Sequence, residues 1–204
     1  MERKKEEISA AVLEKEIIDF LMGWASSSGG KNTGRGCNLK HGRASVLATS
    51  YKDIPRATPI DYFCDGTLSV WFNAEPGGKI ANIMRNPNVS VGIYEPVDHT
   101  IDQKSLQLWG QAEIITEKKN PELFHEKWES FGVKEAVVGM VNSMIYQKKI
   151  PAEAKEKTME NIQKKINFIK VTPEKIVLRE ILVEQGTLRK VWENGKAWTL
   201  KFIM

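Results

Sequence analysis

Between residues 44 and 115 the sequence consists of short β-type segments separated by turn residues, with one short helical segment among them. Apolar and polar residues alternate along these segments, which is the pattern of strands that bury one face. A parallel sheet would need a crossover helix for each pair of strands, so the pattern predicts antiparallel strands. Strands are predicted at residues 44–51, 58–63, 67–72, 89–94 and 105–115, and a short helix at residues 79–85.

The flanking segments add helices and one further strand to this prediction. Helical periodicity predicts an N-terminal helix over residues 6–25, followed by a glycine-rich, basic and flexible loop over residues 26–43. A helical insertion is predicted over residues 121–166, with segments at 122–131, 134–146 and 152–166. We expect these helices to cover one end of the barrel or to extend a dimer contact. The strand pattern resumes at 167–171 and 175–181, and Glu193-Asn194-Gly195-Lys196 can turn a hairpin in an otherwise mixed tail. We therefore expect a single domain over residues 1–204.

Composition and charge exclude several classes of protein. The net charge of +4 over 204 residues is small, which argues against a nucleic-acid-binding protein that depends on a strong basic field. No apolar stretch approaches the roughly 20 residues of a membrane span, and the charged N-terminus does not resemble a signal peptide, so we expect a cytoplasmic protein. Cys37 and Cys64 are far apart and predict reduced thiols. The histidines His41, His99 and His125 are scattered and predict no metal site.

The segment from Asn73 to Pro87 combines a strand end, a glycine-rich bend and a helix that starts with a lysine. Such a bend leaves backbone N–H groups unpaired at the start of the helix, where the helix dipole favours an anion. Lys79 adds a positive charge there, while Gly77 and Gly78 let a ligand approach the backbone closely. The segment suits a phosphate group, and a solvated lysine at the start of a surface helix is the alternative.

A second basic group, Arg56, lies beside the predicted second strand in the sequence Ile54-Pro55-Arg56-Ala57-Thr58-Pro59. A guanidinium at this position can offer a forked pair of donors to a phosphate or a carboxylate. The alternative is a surface charge on a hairpin.

Five short pieces follow one another in a recognisable order: Arg56-Ala57-Thr58-Pro59, Trp71-Phe72-Asn73, Gly78-Lys79, Asn86-Pro87 before a strand, and Leu106-Gln107-Leu108-Trp109-Gly110. In this order they resemble the pyridoxamine 5'-phosphate oxidase-like flavoproteins. The resemblance covers residues 44–115 and extends to 167–180 as a last barrel strand. It implies an α+β, mainly β fold: a six-stranded antiparallel split β-barrel with peripheral helices. It also implies a homodimer with flavin mononucleotide (FMN) at the subunit interface.

The resemblance further implies which residues bind the cofactor. Lys79 matches the lysine that holds the FMN phosphate, and Asn73 falls where a threonine usually hydrogen-bonds a phosphate oxygen. Gly78 falls where the oxidases proper carry an arginine to the same phosphate. The other implied residues line the flavin or approach it from the partner subunit: Arg56, Ala57, Thr58, Pro59, Phe72, Ser105 and Gln107.

Two departures from the family pattern bear on function. The missing arginine at Gly78 removes one charge from the phosphate site, which Arg35, Lys40 or Arg43 in the preceding loop could replace. The loop over residues 29–43 could also form a lid over the flavin or an anionic substrate, or be a solvated connection. The oxidases proper recognise pyridoxal phosphate with an Arg-x-His arrangement near the C-terminus, whereas residues 192–204 contain neither residue type.

We therefore expect an FMN-dependent oxidoreductase that acts on a small molecule other than pyridoxamine phosphate. The sequence names no catalytic residue, and Trp71 and Trp109 are equally suited to stack near the ring or to lie in the core. Three alternatives stay open: a flavin-carrying electron-transfer or storage module, a split barrel that binds haem or a deazaflavin, and a cofactor-free interaction protein.

Overall fold

The computed structural model describes residues 3–27, 44–94, 103–182 and 186–202 of the chain. These residues form ten strands: β1 (Arg3–Glu7), β2 (Ala44–Tyr51), β3 (Ile54–Pro59), β4 (Phe63–Cys64), β5 (Val70–Ala74), β6 (Asn88–Tyr94), β7 (Gln103–Ile115), β8 (Asn167–Leu182), β9 (Gly186–Glu193) and β10 (Lys196–Phe202). They also form five α-helices: α1 (Ala10–Ser27), α2 (Gly78–Ile83), α3 (Pro121–Ser130), α4 (Val133–Tyr146) and α5 (Lys155–Gln163), the last preceded by a 3-10 turn (Ala152–Ala154).

All strand pairs among the described residues are antiparallel, in the order β1-β10-β9-β8-β7-β6-β2-β3. The long strand β8 organises this sheet, because it pairs with β7 along its whole length and with β9 along its second half. Its first half also pairs with β5, which pairs in turn with the short β4. The fold is therefore α+β and mainly β, as the sequence predicts.

Two apolar clusters divide the interior. The larger one fills the space inside the curved sheet and includes Phe72, with α1 and α2 packed against it through Leu13, Ile17 and Ile80. The second cluster lies between strands β4, β5 and β8 and helices α3–α5, and it is rich in aromatic residues such as Trp71 and Phe131. Strand β5 separates the two clusters, since Phe72 faces one of them and Trp71 faces the other.

The register of β8 depends on a close approach at Gly110. The pairing shifts between Trp109, which lies opposite Lys175, and Gly110, which lies opposite Pro173, so that Glu174 is skipped. A Cβ atom on Gly110 would lie 2.0 Å from the carbonyl oxygen of Thr172. Only a glycine permits this approach, and the shift lets one continuous strand pass through Pro173.

The structure contains the six strands predicted for the barrel and corrects three boundaries. The N-terminal helix begins at Ala10 and not at residue 6, because residues 3–7 pair with β10. The second strand covers residues 54–59 and not 58–63, because a tight turn at Lys52 and Asp53, both with positive φ, fixes its hairpin with β2. The third begins at Val70 and not at Thr67, whose N–H and hydroxyl donate to Asp65 in the preceding turn.

The predicted hairpin at residues 193–196 is present, with Asn194 and Gly195 at positive φ between β9 and β10. The three helices of the insertion lie close to their predicted bounds. Ser26 and Ser27, expected in a loop, belong to the last turn of α1, and loop residues 28–43 lie outside the described residues.

Candidate functional site

Arg56 and Gly78, far apart in sequence, are brought into contact at the edge of the sheet. Arg56 lies on the edge strand β3 opposite Thr49, which is 3% exposed, so both side chains point to the inner face of the sheet. A Cβ atom on Gly78 would lie 2.7 Å from Nη1 and 3.1 Å from Cζ of Arg56. The guanidinium therefore occupies the space into which a side chain at position 78 would project.

Helix α2 carries Lys79 directly after Gly78 in the sequence. The buried Ile80 and Ile83 anchor the helix on the core, and the Asn82 side-chain amide donates to Thr49 Oγ1 at 3.1 Å. Just after the helix, the Asn86 amide donates to Ser50 Oγ at 3.1 Å. These bonds fix α2 against β2, and Lys79 is half-buried in the first turn of α2, directly after Gly78.

We refer to Arg56, Gly77, Gly78 and Lys79 as the cradle. No side chain caps the first turn of α2 at Gly77. Within the described part of the chain, no carboxylate pairs with Arg56 or Lys79, so no described residue compensates either cation. A helix of six residues contributes little dipole, and the site therefore depends on the two side-chain charges, which suit a phosphate or another compact anion.

The residues that follow Arg56 are divided between the two faces of the sheet. Thr58 lies opposite Leu47 and shares the inner face with Arg56, whereas Ala57 and Pro59 point to the outer face. On that outer face the row from Pro59 continues through Val46 and Gly92 to Gln107 on β7.

Ser105 and Gln107 line a groove of about 390 Å³ on this outer face. We call it the outer groove; its lining is Val46, Gly92, Ile93, Tyr94, Ser105, Leu106, Gln107, Trp109, Val177, Arg179 and Arg189. Tyr94 is 49% exposed and Trp109 is 37% exposed, so both present aromatic surface. The sequence did not single out Tyr94, Arg179 or Arg189.

Phe72 and Asn73 are placed differently from the other implied site residues. Phe72 is fully buried in the barrel core. Asn73 lines a separate cavity of about 320 Å³ between the end of β5 and helices α4 and α5, with Val137, Met140 and Ile162 among its walls. No described contact joins Asn73 to the cradle.

The two tryptophans left open by the sequence differ in role. Trp71 is 1% exposed and belongs to the aromatic cluster under the helices, so it is a core residue. Trp109 lies in the outer groove and is free to face a ligand.

Cys64 is a free thiol and is buried in the larger apolar cluster. Burial raises the pKa of the Cys64 thiol to about 11, which keeps it protonated and poorly nucleophilic at neutral pH. Cys37, His41, His99 and the basic loop residues Lys31, Arg35, Lys40 and Arg43 lie outside the described residues.

Two further observations concern metal ligands and membrane spans. Across the described ranges, no three His, Cys, Asp or Glu side chains come close enough together to hold a metal ion. None of the described helices has the length and apolar character needed to cross a membrane.

Residues 38–178 match the sequence profile of a family described as Pyridoxamine 5'-phosphate oxidase. The match spans β2 to most of β8 and therefore includes the cradle and the larger part of the outer groove. No curated protein matches the chain significantly.

Solved structures with a similar shape include three bacterial proteins. A conserved hypothetical protein from Mycobacterium tuberculosis is 20% identical, covers 86% of this chain and 88% of its own, and gives a TM-score of 0.49. An FAD-binding protein from Mesorhizobium loti is 17% identical, with coverages of 88% and 98% and a TM-score of 0.49. A pyridoxamine 5'-phosphate oxidase-related, FMN-binding protein from Nostoc punctiforme is 14% identical, with coverages of 79% and 86% and a TM-score of 0.46.

Proposed function

The chain belongs to the pyridoxamine 5'-phosphate oxidase family, and we propose that it is an FMN-dependent oxidoreductase that holds the flavin phosphate in the cradle. The observation that carries the proposal is the placement of the Arg56 guanidinium against Gly78, next to Lys79, at the edge of the sheet. A phosphate dianion bound there would receive charge-assisted hydrogen bonds from both side chains.

The same contact accounts for the departure of Gly78 from the family pattern. An arginine at position 78 would compete with Arg56 for space, whereas glycine leaves room for the Arg56 guanidinium to lie over the start of α2. We propose that Arg56 supplies the charge that is missing at position 78.

The residues around the cradle fit the remainder of an FMN molecule. Ala57, Thr58 and Pro59 continue along the edge strand from Arg56, where their backbone groups and small side chains can lie beside the ribityl chain and ring. When bound, the flavin would supply the hydride or electron transfer, while the protein orients it and excludes water.

We further propose a homodimer, on the basis of the distance between the cradle and the outer groove. Arg56 on β3 and Gln107 on β7 are separated by three strand spacings, roughly 14 Å, and point to opposite faces of the sheet. Ser105 and Gln107 would therefore contact a flavin bound in the cradle of the partner subunit. Sedimentation at micromolar concentration tests this, since a monomer would contradict an interface cofactor site.

The substrate is proposed to be a small molecule other than pyridoxamine phosphate, because residues 192–204 lack the Arg-x-His arrangement of the oxidases proper. A cytoplasmic location is part of the proposal, and cell fractionation tests it.

A flavin-carrying electron-transfer or storage module is the second candidate. One observation favours it: among the described residues that line the cradle and the outer groove there is no His, Cys, Asp or Glu to donate a proton. Flavin colour without turnover of NADH or NADPH in steady-state assays would support this candidate over an enzyme.

The visible absorption spectrum of the purified protein, with mass spectrometry of any compound released on denaturation, tests the proposal. Flavin absorption and release of FMN are expected. A Soret band would indicate that the cofactor is haem, and a released deazaflavin would indicate that it is a deazaflavin. A colourless protein with no fluorescence change on FMN titration would contradict flavin binding.

A further inference from the structure

The cavity between the end of β5 and helices α4 and α5 shares no lining residue with the cradle or the outer groove. We call it the helix cavity. Its volume of about 320 Å³ lies at the lower end of the range for small-molecule sites. Apart from Asn73 and Glu75, every side chain that lines it is aliphatic or methionine, so the walls offer contacts to an alkyl group but no ring for stacking.

One wall of the helix cavity is a stripe along helix α4, made of Val133, Ala136, Val137 and Met140. Their three- and four-residue spacing places these side chains on one face of the helix. Val133 and Val137 are buried against the aromatic cluster, but Met140 is 46% exposed. The described residues therefore leave part of the stripe uncovered, and an apolar ligand would gain free energy by removing it from water.

A second wall is formed at the end of α5 by Ile162 and Ile166. Both pack against the aromatic cluster and stay half-buried, so each keeps part of its side chain towards the cavity. An alkyl group in the cavity could therefore contact both helical walls at once.

The strand end adds a polar group to these apolar walls. Trp71 on β5 faces the aromatic cluster, and Asn73, two residues further along the strand, points to the same side. Asn73 is half-buried, and within the described residues no hydrogen bond engages its side chain. Its amide oxygen is therefore available to a donor in the cavity.

Glu75 adds a negative charge at the exposed rim of the helix cavity. In the described part of the chain no lysine, arginine or histidine pairs with this carboxylate. Carboxylate and amide oxygens both accept hydrogen bonds, and an ammonium group offers three donors and no acceptor. The combination of an apolar interior and an acidic rim thus selects a molecule with an alkyl body and one positive end.

We propose that the helix cavity binds a small aliphatic monoamine, with the alkyl part between α4 and α5 and the ammonium group at Glu75 and Asn73. A diamine suits the cavity less well, because its second charge would lie against apolar walls without a partner. This site is additional to the proposed cofactor site and uses no residue of the cradle.

n-Hexylamine and 1-hexanol are suitable probes, because they have nearly the same shape and differ in charge at neutral pH. Saturation-transfer NMR titrations would measure both, in flavin-free and in FMN-loaded protein. We expect tighter binding of hexylamine, and a loss of roughly threefold in its affinity in Glu75→Gln, the scale of an exposed ion pair. The affinity for hexanol should be the same in Glu75→Gln and in the unchanged protein.

Glu135→Gln is the matched control, because it removes one negative charge from an exposed position of α4 that does not line the cavity. It should leave hexylamine binding unchanged, and an equal loss in this variant would reduce the effect to net charge and overturn the proposal. Equal hexylamine affinity in Glu75→Gln and the unchanged protein would also overturn it.

Ala136→Phe tests the apolar walls, because it places a large side chain in the cavity from an exposed helix position. It should abolish the binding of both probes, and thermal unfolding checks that the variant is folded. Unchanged binding of the probes in folded Ala136→Phe would place them elsewhere on the protein and contradict the proposal.

The comparison of flavin-free and FMN-loaded protein separates this site from the proposed function. Hexylamine binding that depends on Glu75 in a protein that fails to bind FMN would retain the amine site and contradict the flavoenzyme. Displacement of hexylamine by FMN would make the cavity part of the cofactor site and overturn the separate amine site. FMN binding in a protein that binds neither probe would contradict the amine site alone.

Discussion

Lys127 on α3 and Lys79 on α2 differ in whether carboxylates compensate their charges. Lys127 on α3 is 7% exposed, and its Nζ lies 2.8 Å from Glu126 and 3.3 Å from Asp65. It also lies over the rings of Trp71, at 5.0 Å, and Phe131, at 5.5 Å. Lys79 is half-buried and follows Gly78, which contacts a second cation, Arg56, and no described carboxylate compensates either of them.

The difference indicates which charges hold the fold and which are available to a ligand. Asp65 accepts hydrogen bonds from Trp71 Nε1 at 2.9 Å and from Thr67, so the charge of Lys127 completes a network that joins α3 to the β4–β5 turn. Loss of Lys127 should therefore change folding, and loss of Lys79 should change binding. The following predictions test that contrast from the largest expected effect to the smallest.

Lys127→Met should destabilise the protein by on the order of 3 kcal/mol, because it leaves Asp65 without its cation in a largely buried setting. Urea unfolding at neutral pH measures the change. Lys134→Met is the control, since Lys134 also pairs with a glutamate at 2.8 Å but is exposed, and no measurable change is expected there. Equal effects in both variants would show that burial does not distinguish the two pairs.

Lys79→Ala should leave unfolding unchanged and weaken FMN binding by about 1.5–3 kcal/mol, the range for a hydrogen bond to a charged group. Flavin fluorescence titration measures the dissociation constant. An unchanged FMN affinity in this variant would remove Lys79, and with it the cradle, from the proposed cofactor site.

Gly78→Ala should weaken FMN binding by about 1 kcal/mol without affecting stability. The added Cβ would lie 2.7 Å from Arg56 Nη1, so the guanidinium must move from its place, and a flexible side chain can do so at little cost to folding. Gly77→Ala is the matched control: its Cβ would meet nothing closer than 4.0 Å, and its φ of 172° suits any residue. A similar loss in both variants would mean that the position of Arg56 is unimportant.

Much of the barrel was predictable because its strands carry local patterns. Strand β2 matches its predicted bounds, and β6 and β7 differ by one or two residues, since their buried and exposed residues alternate regularly. The edge strand β3 was misplaced because it follows no such alternation: five of its six residues are exposed, and its position is set by the turn at Lys52 and Asp53.

The candidate site likewise has one part that could be predicted from local sequence patterns and another part that could not. Glycine and lysine at the start of a short helix form a local pattern from which the cradle could be predicted. The contact between Arg56 and Gly78 joins residues 22 positions apart, so no short segment of sequence could predict it. The outer groove was missed because its lining comes from five different strands, and the sequence did not predict β9, which carries Arg189. The outward position of Arg179 could be deduced from the alternation with the buried Ile176 and Leu178. Which residue lies opposite Arg179 on the next strand could not be deduced.

The smallest effect concerns the pH dependence of the network around Asp65. Burial raises the pKa of Asp65, but the hydrogen bonds from Thr67 and the charge of Lys127 outweigh it, so the pKa lies below its ordinary value of 3.8. A carboxylate with a lowered pKa adds stability that is present above the ordinary value and is lost as the pH falls through the lowered one. Because burial cancels part of the shift, we expect only a modest fall in the urea midpoint over this acid range. Asp65→Asn should flatten the plot of urea midpoint against pH over this range. An identical plot for both proteins would show that Asp65 gains no stability from its partners, and Lys127 would then be no better compensated than Lys79.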